Sequence, residues 1–109
     1  MYIEYKSRKI EKLAKTWRHG RDGLSLKKRM VELQAASNLL DIKRLPYLRL
    51  HCLKWKKRYS LAIDIDGKKD PNRIVFEALD GDGVCDDWRN DSKLLTVTKI
   101  KILFIWDYH

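Results

Sequence analysis

The sequence predicts an α+β fold, with two N-terminal helices packed on one face of a mainly antiparallel sheet in the order β-α-α-β-β-β. Three observations lead there. Apolar residues recur at helical spacing between Ile10 and Ala35, they alternate from Leu48 to the chain end, and the change of period falls at Pro46. Proline disfavours the α conformation in the residue before it, so helical structure should stop there. The 109 residues are enough for one hydrophobic core, and a single domain spanning 1–109 is expected.

Met1 to Lys6 alternates and reads as a short opening strand. Ser7 can cap the helix that follows, in which Ile10, Leu13, Ala14 and Trp17 form one apolar stripe beside Arg8, Lys9, Lys12 and Lys15. Gly20 and Gly23 in H-G-R-D-G are expected to close this helix and open a loop holding His19. A second helix should run from about Ser25, with Leu26, Met30 and Leu33 on one face, until Ser37 and Asn38 interrupt it. A short turn containing Leu39, Leu40 and Ile42 precedes Pro46.

From Tyr47 the period is two. Leu48, Leu50 and Cys52 should be buried, leaving Arg49 and His51 on the opposite face. Lys54 to Arg58 is too charged for a core and reads as a hairpin loop or strand edge. Tyr59, Leu61, Ile63 and Ile65 restart the alternation, Asp66-Gly67 supplies a turn, and Arg73, Val75 and Glu77 alternate with Ile74 and Phe76. Leu79 to Ser92 is acidic and reads as a long surface loop. In the final strand Ile100, Ile102 and Phe104 are expected on one face, with Asp107, Tyr108 and His109 at its end.

Charge narrows the partners. Residues 1–60 carry 17 Lys/Arg against 5 Asp/Glu, a net +12, whereas residues 61–109 carry 7 against 10, a net −3. A basic front of this strength favours a polyanion, either nucleic acid or an acidic protein. Cys52 and Cys85 belong to no C-x-x-C, so neither a zinc site nor a disulfide framework is expected, and both thiols should be free in a reducing cytoplasm. There is no apolar run long enough for a bilayer and no signal peptide at the N-terminus. The D-G-D-G-V-C-D-D stretch starts like a calcium loop, but Cys85 stands where the required glycine belongs, so no metal or other cofactor is expected.

Arg49, His51, Lys54, Lys56, Lys57, Arg58 and Arg73 are the candidates for a phosphate-binding face, and Trp55, Tyr59 and Tyr108 offer rings on which bases stack. Two histidines among cations and a carboxylate can cleave RNA without a metal. One removes the 2′-hydroxyl proton, the other protonates the leaving 5′-oxygen, and cations stabilise the phosphorane. Histidine suits both tasks because its ordinary pKa is ~6.5.

The segments L-P-Y-L-R-L-H-C-L-K (Leu45 to Lys54), N-R-I-V-F-E (Asn72 to Glu77) and the terminal W-D-Y-H resemble the HigB-type toxins of the RelE/ParE superfamily. The resemblance implies a RelE-like microbial ribonuclease fold and a ribosome-dependent mRNA endonuclease, with a HigA-like helix-turn-helix antitoxin, the ribosome and mRNA as partners. It also implies that His51 and Lys54 match the family's active-site histidine and lysine, Arg73 its arginine, and Asp107, Tyr108 and His109 its terminal cluster. His109 is then the leading proton-transfer residue with His51 as its partner. Lys54 and Arg73 stabilise phosphate, Asp107 orients a histidine, Tyr108 stacks or hydrogen-bonds, and Arg49, Trp55, Lys56, Lys57 and Arg58 contact RNA. Cys52 departs from the family's proline, and Trp55 to Arg58 replaces the glycines of its following loop. Two alternatives stand beside this reading. One is a superfamily toxin acting on a protein target such as gyrase, and the other is a non-catalytic RNA- or ribosome-binding module.

Overall fold

In the computed structural model the chain describes residues 1–16, 20–55, 58–67, 71–80 and 90–106, of which 20–24, 54, 55, 58, 59 and 106 are described by their backbone alone. Strand β1 (Tyr2–Tyr5) leads into helix α1 (Arg8–Thr16), whose first turn is capped where Ser7 Oγ accepts the Ile10 N–H at 3.3 Å. Ala14 is buried on the apolar stripe, with Ile10 and Leu13 packed beside it. Trp17 and His19 lie outside the described residues.

Helix α2 (Gly20–Ala35) corrects the first expectation, because both glycines of H-G-R-D-G are helical. Each glycine costs a helix ~1 kcal/mol relative to alanine. Burying Leu26, Met30 and Leu33, all at most 2% exposed, returns ~1.5–3 kcal/mol apiece and outweighs that cost. Helix α3 (Leu39–Lys43) replaces the expected turn. Asn38 caps it by accepting the Asp41 N–H at 3.2 Å, and Leu39, Leu40 and Ile42 are all buried.

A 3₁₀ turn (Pro46–Leu48) then delivers the chain to β2 (His51–Trp55), so the strand expected from Tyr47 starts later. Leu48 and Leu50, both ahead of the strand, are buried as expected, whereas Cys52 within it is only half-buried against the core. Strands β3 (Arg58–Asp64) and β4 (Arg73–Ala78) follow, and in the connection between them Gly67 stands at φ +90°, where glycine is unstrained. Helix α4 (Asp91–Leu95) lies within and just beyond the segment read as a loop. Asn90 caps it, and Leu94 and Val97 are fully buried, so this helix is held by two apolar anchors that its acidic neighbourhood obscured. Strand β5 (Lys99–Trp106) ends the described chain.

The five strands form one mixed sheet in the order β1-β5-β4-β3-β2, parallel at β1–β5 and antiparallel elsewhere. The architecture is α+β, but it has one strand more than the expected order. Its helices are not all N-terminal, because α4 precedes the last strand. Leu61, Ile63 and Ile65 of the β3 region, Ile74 and Phe76 of β4, and Ile100 and Ile102 of β5 make the core with α2 and α3. Phe104 does not join them. Val75 pairs with Phe104 and Phe76 with Ile102, so Leu103 is an extra residue in a bulge. The bulge sends Ile105 to the core and leaves Phe104 on the other face, where Lys6 Nζ sits 4.7 Å from its ring centroid.

Cys52 is disulfide-bonded, which corrects the free-thiol expectation for that residue; the other cysteine, Cys85, lies outside the described residues. The expectation rested on sequence separation and compartment, yet a bridge needs only Cα atoms ~4.4–6.8 Å apart. Such bridges persist in oxidising surroundings.

Asp80 latches the start of β5. Its carboxylate accepts the Thr98 N–H at 2.9 Å, the Thr98 hydroxyl at 2.7 Å and the Lys99 N–H at 3.0 Å. Desolvation pushes its pKa up, but the hydrogen bonds from Thr98 and Lys99 outweigh this and hold it below the ordinary value. A depressed folded-state pKa stabilises the fold above the unfolded pKa, and the contribution fades as pH falls through the folded one. Asp80→Ala is therefore expected to cost about 1–2 kcal/mol near neutral pH, discounted for exposure. Urea denaturation should show the gap between wild type and variant narrowing as pH falls below the ordinary carboxylate range and through the depressed folded-state value. A gap that persists undiminished in acid would contradict the latch.

Candidate functional site

The face of the sheet away from the helices carries the charged positions of the central strands. Register places His51 opposite Ala62, Ala62 opposite Val75, and Val75 opposite Phe104. Two residues nearer the end of the sheet, Asp64 faces Arg73 and Arg73 faces Trp106. The start of β2, the end of β3, the start of β4 and the end of β5 thus converge at one edge. The Arg49, His51 and Arg73 picked out by alternation arrive there together.

Asp64 organises them. It is 1% exposed, the one charged residue fully buried among those described. Arg49 Nη1 donates to Oδ2 at 3.2 Å, and Arg73 Nε lies 2.8 Å from Oδ1. This second contact is ionic without being a straight hydrogen bond, so Oδ1 has no well-directed donor among the described residues. Arg73 also donates from Nη1 to its neighbour's carbonyl, Asn72 O, at 2.8 Å. Two guanidiniums against one carboxylate leave a local charge of about +1 and fix both planar forks in place. The Arg49 side chain remains 42% exposed and that of Arg73 15%, so one cation is open to a ligand and the other is largely sheathed.

Arg49 pays for its position in backbone conformation. At φ 50°, ψ 53° it is the one non-glycine residue in the left-handed region among those described. The left-handed region costs an L-residue ~1–2 kcal/mol. Buried Leu48 and Leu50 on either side hold it, and its own N–H bonds Pro46 O at 3.1 Å. Strain kept by its surroundings is a recurrent mark of functional positions. The Arg49 carbonyl then turns toward His51, whose Nδ1 is 2.7 Å away. A carbonyl can only accept, so Nδ1 is the donor, and Nε2 is the ring nitrogen that faces away from this bond.

The remaining candidates stand as follows. Lys54 pairs with Tyr59 and Trp55 with Arg58, at the far end of the β2–β3 hairpin. At ~3.3 Å per residue, that backbone is roughly 16 Å along β3 from Asp64. Lys56, Lys57, Asp107, Tyr108 and His109 lie outside the described residues. Trp106, the register partner of Arg73, is joined directly to Asp107. Asp64 is the residue the sequence reading missed. Its signal is a single acid inside the apolar run L-A-I-D-I, followed across a D-G turn by the arginine that opens the next strand.

If Asp64 holds the two arginines, removing it strands both charges. Asp64→Ala is expected to cost ~3–5 kcal/mol in chemical denaturation, the range for breaking a buried pair; a loss under ~1 kcal/mol would contradict the bridge. The backbone strain is tested separately. Arg49→Gly and Arg49→Ala lose the same guanidinium, but only glycine relaxes at positive φ, so the glycine variant should be the more stable by about 1 kcal/mol.

Searches against protein-family models, curated proteins and solved structures gave no match to this chain.

Proposed function

We propose that this chain is the toxin of a type II toxin–antitoxin pair and cleaves mRNA on the ribosome. The observation that carries the reading is the Arg49–Asp64–Arg73 bridge beside His51, on the sheet face the helices leave open. A local positive charge with oriented guanidiniums suits a phosphodiester. An imidazole held through Nδ1, with Nε2 left for a ligand, suits removal of a 2′-hydroxyl proton.

In this reading the 2′-oxygen attacks phosphorus as His51 Nε2 takes its proton. The P–O5′ bond breaks, and His109 returns a proton to the leaving oxygen. The products are a 2′,3′-cyclic phosphate and a 5′-hydroxyl, and the step needs no water. Arg49 and Arg73 stabilise charge on the phosphorane, while Lys54, at the far end of the hairpin, takes an RNA phosphate away from the reacting one. Asp107 orients the imidazole of His109, and Tyr108 stacks on a base. Arg58, Lys56, Lys57 and Trp55 extend the RNA contact along the hairpin.

The finer reading of the fold as RelE-like belongs to the same proposal. It is supported by helices covering one face of a mainly antiparallel sheet and by the motifs in L-H-C-L-K, N-R-I-V-F-E and W-D-Y-H. The partners proposed with it are a HigA-like helix-turn-helix antitoxin, the ribosome and translated mRNA, and the place of action is the cytoplasm, where the Cys52 bridge would be open to reduction. No helix among the described residues is long and apolar enough to cross a membrane.

Primer extension on a translated message is the test. Wild type should cut, and His51→Ala and His109→Ala should each lose ~10²–10⁴-fold in rate, the usual worth of a general acid or base. Arg73→Lys keeps a charge beside Asp64 but not the fork, and should lose activity while remaining folded. Equal cutting by the histidine variants, or no cutting by wild type, would remove the assignment.

A further inference from the structure

Away from the open sheet face, α2 and the 3₁₀ turn enclose a surface groove of about 610 Å³, lined by Lys27, Lys28, Arg29, Val31, Glu32 and Tyr47. Its floor is already built. Arg29 Nε donates to Ile65 O at 2.9 Å, its Nη1 donates to Glu32, and its guanidinium lies 5.1 Å from the Tyr47 ring centroid. The Tyr47 hydroxyl donates to the other oxygen of Glu32, and that hydrogen bond holds its pKa above the ordinary value, so it stays a donor. Above this floor two large apolar side chains face solvent, Val31 at 51% exposure and Tyr47 at 54%. Lys27 and Lys28 stand one turn from Val31 on the same helix face, at i−4 and i−3.

We infer that this groove docks an acidic amphipathic segment of a partner protein, with an aliphatic side chain laid between Val31 and Tyr47 and flanking carboxylates on Lys27 and Lys28. Two features favour a protein over RNA. Arg29 occupies one face of the Tyr47 ring, which removes half of a stacking platform. An apolar centre with a charged rim is the anatomy of a helix-in-groove interface, in which opposite charge steers encounter and fixes register. The inference stands on the chemistry of this groove and does not need the nuclease reading.

The experiment is a selection of displayed random 16-residue peptides against the full chain, with the enriched peptide then titrated into ¹⁵N-labelled protein. Enriched sequences should combine acidic residues with aliphatic ones at helical spacing. Their shift changes should centre on Lys27 to Glu32 and Tyr47. Affinity should fall at least ~10-fold in the Lys27→Glu/Lys28→Glu variant, as expected for lost charge complementarity, and also in Val31→Asp. Both changes are on exposed positions, and the amide spectrum reports whether the variants stay folded. A neutral or basic enriched pool, binding indifferent to charge reversal, or shifts mapping elsewhere would overturn the inference. So would a decauridine RNA that shifts these amides when the peptides do not. Each of these results is independent of whether the chain cuts mRNA.

Discussion

One buried carboxylate sets the geometry of the sheet face opposite the helices. Taking Asp64 out of water costs several kcal/mol even after relaxation, and attraction to Arg49 and Arg73 repays this only while both stay in place. An apolar residue of similar size would hold the strands together as well or better. What the carboxylate adds is direction, because it fixes two guanidiniums that would otherwise sample many rotamers on a basic surface. The charge balance matters as much. With one anion against two cations, the cluster is stable without ligand and still attracts a phosphate.

The backbone around the cluster is braced from the helix side. Tyr47 and Arg29 share Glu32, and Arg29 reaches Ile65 O, one residue beyond Asp64. Arg49 follows Tyr47 by two positions, between two buried leucines. The same side chains therefore form the floor of the α2 groove and fasten both segments that supply the Arg49–Asp64 pair. A partner seated on that floor would press on the supports of the cluster without touching it.

Much of this was legible from residue patterns. The apolar stripe of α1, its Ser7 cap and the alternation that turns Leu61 and Ile63 to the core are all local, and the structure agrees with each. The features that escaped depend on tertiary packing. The glycines of α2 are helical because three residues further along are buried, and Phe104 leaves the core because the β4–β5 register slips at Leu103. No local pattern singles out Asp64, because its partners lie on two other segments. Three-dimensional proximity also explains Cys52, whose bridge no local pattern announces.

The central claim is that the Asp64 bridge makes a phosphate site of Arg49, Arg73 and His51. The most direct measurement is a titration of a short single-stranded RNA into ¹⁵N-labelled protein, following arginine Nε–H and histidine ring resonances in wild type and Asp64→Asn. The account predicts that the side-chain signals of Arg49, Arg73 and His51 shift together and saturate in wild type, and that the coupled response is lost in the variant while its backbone spectrum persists. RNA that binds the hairpin or α1 lysines and leaves those three side chains unmoved, or moves them equally in the variant, would contradict it.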